Sequence, residues 1–300
     1  MRTDLSQPGI LAPPPPLGRS LTFRLIPDAD PRTALSRLRD GFSLEWGVVG
    51  IGEPLVRALD RTVTGLRTFP AFSGPACMVV STQQPLWCFL RGQERGALFD
   101  LTERVESWLN DAFQLDDALD TFIYAGGRDL TGYEDGTENP KGEAAANAAL
   151  VSIDAGSKGG EGLAGASFVA VQRWVHDLHR FHDFTPERRD ATIGRRIDTN
   201  AELSDAPPSA HVKRSAQESY DPPAFMVRRS MPWATAHEQG LEFIAYGDSL
   251  DRFERVLRRM AGLDDKIADA LFTFSRPVTG GYYWCPPVAN GRLDLRRLGL

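Results

Sequence analysis

The feature that most constrains this chain is a run of secondary-structure signals that occurs twice in the same order. In the first half, "SLTFRLIP" reads as a strand and "PRTALSRLRDGF" as an amphipathic helix, with apolar residues at three- and four-residue spacing. "GPACMVVS" and "LWCFLRG" follow as a strand pair. "LFDLTERVESWLNDAF" is a helix with its apolar stripe on Leu101, Val105, Trp108 and Leu109, and "DTFIYAGG" is a strand. In the second half, "GASFVAVQRWV" reads as a strand and "TPERRDATIGRRI" as a helix with Thr185 as N-cap and Glu187 in its first turn. Then "AFMVRRSMPW" and "LEFIAYGDS" read as strands, "LDRFERVLRRMAG" as a helix ending at Gly262, and "GGYYWCPP" as a last strand.

The order β-α-β-β-α-β in each half predicts an α+β protein made of two ferredoxin-like halves packed together, of the dimeric α+β barrel type. We place the halves at residues 1–140 and 141–300. The Gly-, Ala- and Ser-rich stretch "NPKGEAAANAALVSIDAGSKGGEGLAGAS" connects them. A length of 300 residues suffices for two cores of this kind. No apolar run approaches the roughly 20 residues needed to span a membrane, so no membrane partner is expected. The N-terminal "MRTDLSQPGILAPPPPLGRSLTF" has no apolar export core and no twin arginine, which gives an expectation of a cytoplasmic protein. A net charge of −6 argues against general nucleic-acid binding. Cys77, Cys88 and Cys285 lack the spacing of a zinc site or redox pair and read as buried free thiols.

One loop stands apart. "DLTGYEDGTENPKGE", residues 129–143, packs five acidic residues, three glycines and an Asn-Pro between strand-like runs. Calcium does not explain it: with Gly136 as the sixth position of an EF-hand loop, the first and third fall on Thr131 and Tyr133, and with Gly132 as the sixth the first falls on Gly127. A phosphate cradle fails because the Lys-Ser/Thr of a P-loop is absent and acidic side chains repel phosphate. A glycosidase-like carboxylate pair has no accompanying Trp-rich cleft. On general grounds the stretch is a turn, with Asp135 bonding the local backbone.

The residues themselves alter that balance. "GYEDGTENP" resembles the G-x-x-D-G motif of the dye-decolourising peroxidases, in its longer form with T-x-N-P. "QPGIL", "GASFVAVQRWVHDL", "SAHVKRS", "FMVRRSMPW" and "RPVTGGYYWCPP" agree with that family in order and spacing. The resemblance covers nearly the whole chain, and the lack of large insertions is similar to the compact B-type branch. It implies haem b as cofactor and a C-terminal half that carries most of the haem pocket. It also implies a peroxidase reaction through a ferryl intermediate, with hydrogen peroxide as oxidant and dyes, phenolics or other small one-electron donors as reductants. A homo-oligomer is expected; nothing in the sequence supports packing in an encapsulating shell, a fate of some relatives.

Residue by residue, the resemblance makes His211 the proximal iron ligand, with Asp269 in the place of the acceptor for its other ring nitrogen. Asp135 and Arg228 match the catalytic pair of the distal face, where a positioned base and a fixed cation suit the cleavage of peroxide. Arg229, the next residue on a strand, points to the opposite face. Ser230 stands where some relatives carry Asn. Gly136 and Thr137 belong to the same cofactor-binding loop, Gly132 and Gly136 let the backbone come close to the porphyrin, and Phe243 and Met226 wall the distal pocket, although core packing would explain those two equally well. Arg195 resembles a propionate partner, although a helix-end arginine would look the same. Glu134 and Glu138 are expected in solvent, as are His176, His179, His182 and His237. Two rivals stay in view: a haem-handling protein with little turnover, whose motifs would look alike, and the chlorite-decomposing haem fold, which lacks the distal aspartate.

Overall fold

The structure, a computed structural model, describes residues 3–300. Met1 and Arg2 of the N-terminal reading, and the side chains of residues 157–159 in the connecting stretch, lie outside the described residues.

The first half runs β1 (Leu17–Leu25), α1 (Arg32–Gly41), β2 (Gly47–Gly52), β3 (Leu86–Gly92), α2 (Arg95–Leu109) and β4 (Phe113–Phe122). The second runs β5 (Ser167–His176), α3 (Pro186–Ile193), β6 (Val227–Arg228), β7 (Met231–Ala234), β8 (Gln239–Gly247), α4 (Leu250–Met260), β9 (Ser275–Pro277) and β10 (Gly281–Cys285). One antiparallel sheet takes the order β4-β1-β3-β2-β10-β5-β8-β6, with β7 added to β8 and β9 to β5. Numbering the principal strands one to four within each half, both halves read 4-1-3-2, the ferredoxin-like order. They fuse where Ile51 and Gly52 of β2 pair with Trp284 and Tyr283 of β10. At the other end β4 packs along β7, with the Thr121 hydroxyl 3.6 Å from Met231 Sδ, so the sheet curls towards a barrel.

Both faces of the sheet are apolar, which is why β2 is buried along its whole length. Helices α1, α2 and α4 cover one face through Leu35, Leu38, Val105, Phe253 and Leu257. The helix Gly142–Ala149 packs its alanines against the other, near Trp87, Ile244 and Tyr283. Gln7 of "QPGIL" is fully buried at the join. Its amide accepts from Val49 N at 2.8 Å and donates to Val49 O at 2.9 Å and Pro286 O at 3.1 Å, tying the first half to the second.

Three strand readings need correction. β2, "GVVGIG", is missed because its three glycines dilute the β signal. "GPACMVVS" supplies only Met78–Val79, in a small hairpin with Phe72–Ser73 outside the main sheet. β4 begins at Phe113, so "DTFIYAGG" holds only its last three residues; Asp116, Asp117 and Asp120 hide the rest. The thiol reading needs one change as well, since Cys77 is only half-buried, whereas Cys88 and Cys285 are buried.

Candidate active site

His211 is the first residue of a single helical turn, His211–Arg214. Its Nδ1 lies 2.7 Å from Asp269 Oδ2, and the Asp269 side chain is fully buried. Asp269 follows α4 and is fixed on several sides: its N–H donates to Met260 O at 2.7 Å, and its Oδ1 accepts from Leu271 N at 2.8 Å. The imidazole therefore has Nδ1 committed, and Nε2 is the nitrogen left to the cavity that His211 lines. Burial pulls the basicity of His211 down, but the Asp269 carboxylate raises it and prevails.

That cavity encloses about 940 Å³ of empty space, counting its mouth. Met226 and Phe243 line it, with Leu241, Phe253, Leu257 and Met260 adding to its apolar wall, and Asp135 and Arg228 reach it from other elements. The loop that delivers Asp135 is built from its own sequence. Asp129 Oδ2 accepts from Thr131 N at 2.8 Å and from the Thr131 hydroxyl at 2.5 Å, and Arg128 Nη1 donates to Gly132 O at 2.7 Å. Gly132 and Gly136 sit at φ +89° and +72°, where a Cβ is strained. Asp135 Oδ1 accepts from Gly136 N at 2.7 Å, the local bond a turn reading expects.

Asn139 joins this loop to the arginine. Its Oδ1 accepts from Arg228 N at 2.8 Å and its Nδ2 donates to Arg228 O at 3.0 Å. Arg228 Nε is buried without a hydrogen-bond partner, and no salt bridge joins Arg228 to Asp135 among the described residues. Arg229 points elsewhere, donating to Leu11 O and Ala12 O at 2.7 and 2.6 Å. A second cavity shares Glu134, Asp135 and Arg228 with the first and adds Gly136 and Ser230.

The other expected residues fall around this centre. Thr137 is half-buried in the loop and lines neither cavity. Arg195 is also outside the linings: its Nη2 is 2.7 Å from Glu138 Oε1 and its Nη1 donates to Asn200 O at 3.0 Å. Glu134 and Glu138 are exposed, as expected, although each also holds an arginine: Glu138 pairs with Arg195 and Glu134 with Arg128 at 3.2 Å. His179, His182 and His237 are exposed, but His176 is buried, against expectation, because β5 extends one residue beyond Val175 and turns it inward. Its Nδ1 is 2.6 Å from Ser275 Oγ and its Nε2 is 3.2 Å from Asp129 Oδ1. Asp129 is held below the usual carboxylate range: burial pushes it up, and the bonds to His176 and Thr131 outweigh that. Asn139, Asp129 and His176 lay within quoted motifs, yet their partners depend on contacts between elements.

Such a cavity suits a flat apolar cofactor with one axial ligand, and the acid and cation beside it suit proton transfer to a small oxidant; fold and site together define a cofactor-dependent oxidoreductase. Comparison with known proteins narrows this class. The family described as "Dyp-type peroxidase, C-terminal" matches residues 126–290. A dye-decolorizing peroxidase of Mycobacterium tuberculosis is 30% identical over 256 residues, covering 80% of this chain and 73% of that protein. The solved dye-decolorizing protein from V. cholerae superposes with a TM-score of 0.82 at 27% identity, covering 93% of this chain and 96% of the other. A variant of DypB from Rhodococcus jostii RHA1, solved in complex with heme, gives 0.84 at 26% identity, with 95% and 97% covered. The chain belongs to the Dyp-type peroxidase family, and is an oxidoreductase acting on peroxide.

Proposed function

We propose that His211 holds haem b in the cavity it lines, and that Asp135 and Arg228 handle hydrogen peroxide at its open face while dyes, phenolics or other small donors return electrons. The observation that carries this reading is the couple of His211 with the buried Asp269 carboxylate, opening onto the same cavity as Asp135 and Arg228. The residues fit the group. The lining is apolar, one imidazole nitrogen is available as an axial ligand, and a buried guanidinium nitrogen of Arg228 awaits an acceptor. The related DypB variant was solved in complex with heme, which supports the choice of cofactor.

When bound, haem supplies the redox chemistry, taking two oxidising equivalents from peroxide and passing them on singly. Asp269 accepts the Nδ1 proton of His211, which turns Nε2 outward and makes it a stronger donor. The Asp135 carboxylate takes a proton from one peroxide oxygen and returns it to the other. The Arg228 guanidinium stabilises the charge that develops on the departing oxygen, and cannot lose its own proton. Gly136 and Thr137 shape the loop, Ser230 lines the second approach to Asp135, and Phe243 and Met226 keep the wall dry. Arg195 reaches a haem propionate only by exchanging Glu138, which makes it the weakest of these assignments.

The division at residues 1–140 and 141–300 belongs to this reading, with the acidic loop closing the first half. A cytoplasmic homo-oligomer fits it too. No helix among the described residues is long and apolar enough to cross a membrane. Exposed Ile123 and Tyr124 offer apolar surface for contact between copies. The test is steady-state turnover of peroxide with a dye or phenol by the full chain. Asp135→Ala and Arg228→Ala are each expected to lower kcat/KM for peroxide by about 10²–10⁴-fold while haem content is kept. Negligible turnover by the unaltered protein, with no response to either change, would point instead to a haem-handling protein.

A further inference from the structure

Strand β5 places Gln172, Trp174 and His176 at alternate positions, so all three project from one face. All three line the cavity of His211. Gln172 is 0% exposed and Trp174 5%. His176 has both ring nitrogens occupied by Ser275 and Asp129. Its two neighbours do not: Nε2 and Oε1 of Gln172 and Nε1 of Trp174 have no hydrogen-bond partner. A buried amide and a buried indole N–H are rarely left so, because each loses its bonds to water and gains nothing in return. Other buried polar atoms without a hydrogen-bond partner, on Arg37, Arg173, Arg214, Glu242, Tyr282, Trp284 and Arg297, lie outside this cavity. Those of Gln172 and Trp174 belong to its lining, where a ligand can reach them.

We infer that Gln172 and Trp174 bind a propionate carboxylate of the porphyrin. This rests on the haem reading above. An indole N–H only donates, so its partner must be an acceptor. The rim of a haem is hydrocarbon apart from its two carboxylates. A carboxyl group is also the one rim substituent that can fill both ends of the amide, accepting from Nε2 and, when protonated, donating to Oε1. Position agrees. Gln172 pairs with Phe243 on β8, and Arg228 pairs with Ala245, so these residues share one face of the sheet. Arg228 and Gln172 lie two strands apart, roughly 10 Å across the sheet, and are offset by two residues along it. That separation lets Arg228 serve the centre of a flat macrocycle while Gln172 and Trp174 meet its rim. Asp129, further along, is already held by Thr131 and His176 and does not compete for the same donors.

The experiment titrates the full-length apoprotein with haemin and with iron octaethylporphyrin, whose rim carries only ethyl groups and no acceptor, followed by Soret absorbance, for the unaltered chain, Gln172→Leu and Trp174→Phe. Both variants keep an apolar side chain and lose donors, and melting curves check that they remain folded. The unaltered chain is expected to prefer haemin over the octaethyl compound. Each variant should lose roughly tenfold in haemin affinity and leave affinity for the octaethyl compound unchanged, so that the preference narrows. Equal losses for both ligands, or unchanged haemin binding, overturn the proposal in favour of packing or a small ligand above the ring. Absence of a Soret band from the unaltered chain with haemin overturns the haem reading itself and takes the proposal with it; the two failures are thus distinct.

Discussion

Asn139 commits both ends of its amide to the Arg228 backbone, so the loop that carries Asp135 and the strand that carries Arg228 are set relative to one another by one side chain. Asn139 is not itself among the residues that line the cavity of His211, so replacing it frees both elements without altering that lining. Asn139→Ala is expected to lower kcat/KM for peroxide by about 10–100-fold with haemin affinity kept, because small misplacements of paired catalytic groups are costly. Steady-state kinetics alongside haemin titration checks this; unchanged kinetics would remove Asn139 from the account. The same residue shows what was legible. Its place in "GYEDGTENP" marked the loop as more than a turn, but a motif does not say that its Asn bonds a strand 89 residues away. Asp269 was named from resemblance, and the structure does place it behind His211. Gln172 and Trp174 were overlooked, and His176 was expected in solvent, although all three stand in "VQRWVH"; following the alternation one step further along the strand is needed to see them as one row.

Helix α3 starts where its sequence announces it but stops at Ile193, four residues short of the helical reading of "TPERRDATIGRRI". The Thr185 hydroxyl accepts from Arg188 N at 3.3 Å, and Gly194 ends the helix in the left-handed region at φ +96°. A Cβ at Gly194 would stand 2.2 Å from Val212 Cγ1 and 3.2 Å from Ala210 Cβ, the residues on either side of His211. Gly194→Ala therefore adds backbone strain and a collision in the segment that aims the imidazole. Thermal or urea melts should show a loss of roughly 1–3 kcal/mol, with weaker haemin binding as well. A variant as stable as the parent would mean that the two segments yield easily. Strands were harder to read than helices for physical reasons. β4 alternates apolar with acidic residues and carries a bulge opposite Thr22 and Phe23, so its hydrophobic period is broken where it starts. β6 and β7 are parts of one expected strand, separated by Arg229 and Ser230.

On the scale of the molecule, the repeated β-α-β-β-α-β order was enough to anticipate two like halves, but not the continuous sheet or the polar cluster between them. Glu242 of β8 is buried, 3.9 Å from Arg173 of β5, which also pairs with Asp117 of β4 and stacks its guanidinium on Trp233. Burial lifts the Glu242 carboxyl from its ordinary 4.5 to about 7, with Arg173 opposing. A raised acid binds its proton more tightly in the folded state. Stability therefore falls as pH rises through the window from about 4.5 to about 7, by at most about 3 kcal/mol. Glu242→Gln should be more stable than the parent at pH 8, by roughly 1–3 kcal/mol, and nearly equal at pH 5; denaturant melts at both values decide it, and an equal effect at both contradicts the linkage. The claim on which the rest depends is that His211 is the haem ligand. Titrating haemin into the full chain and into His211→Ala, with the Soret spectrum as readout, tests it most directly. The account predicts stoichiometric binding with a sharp Soret band that is lost or shifted to that of free haemin in the variant; a colourless parent, or a variant that binds with the parent's spectrum, would contradict it.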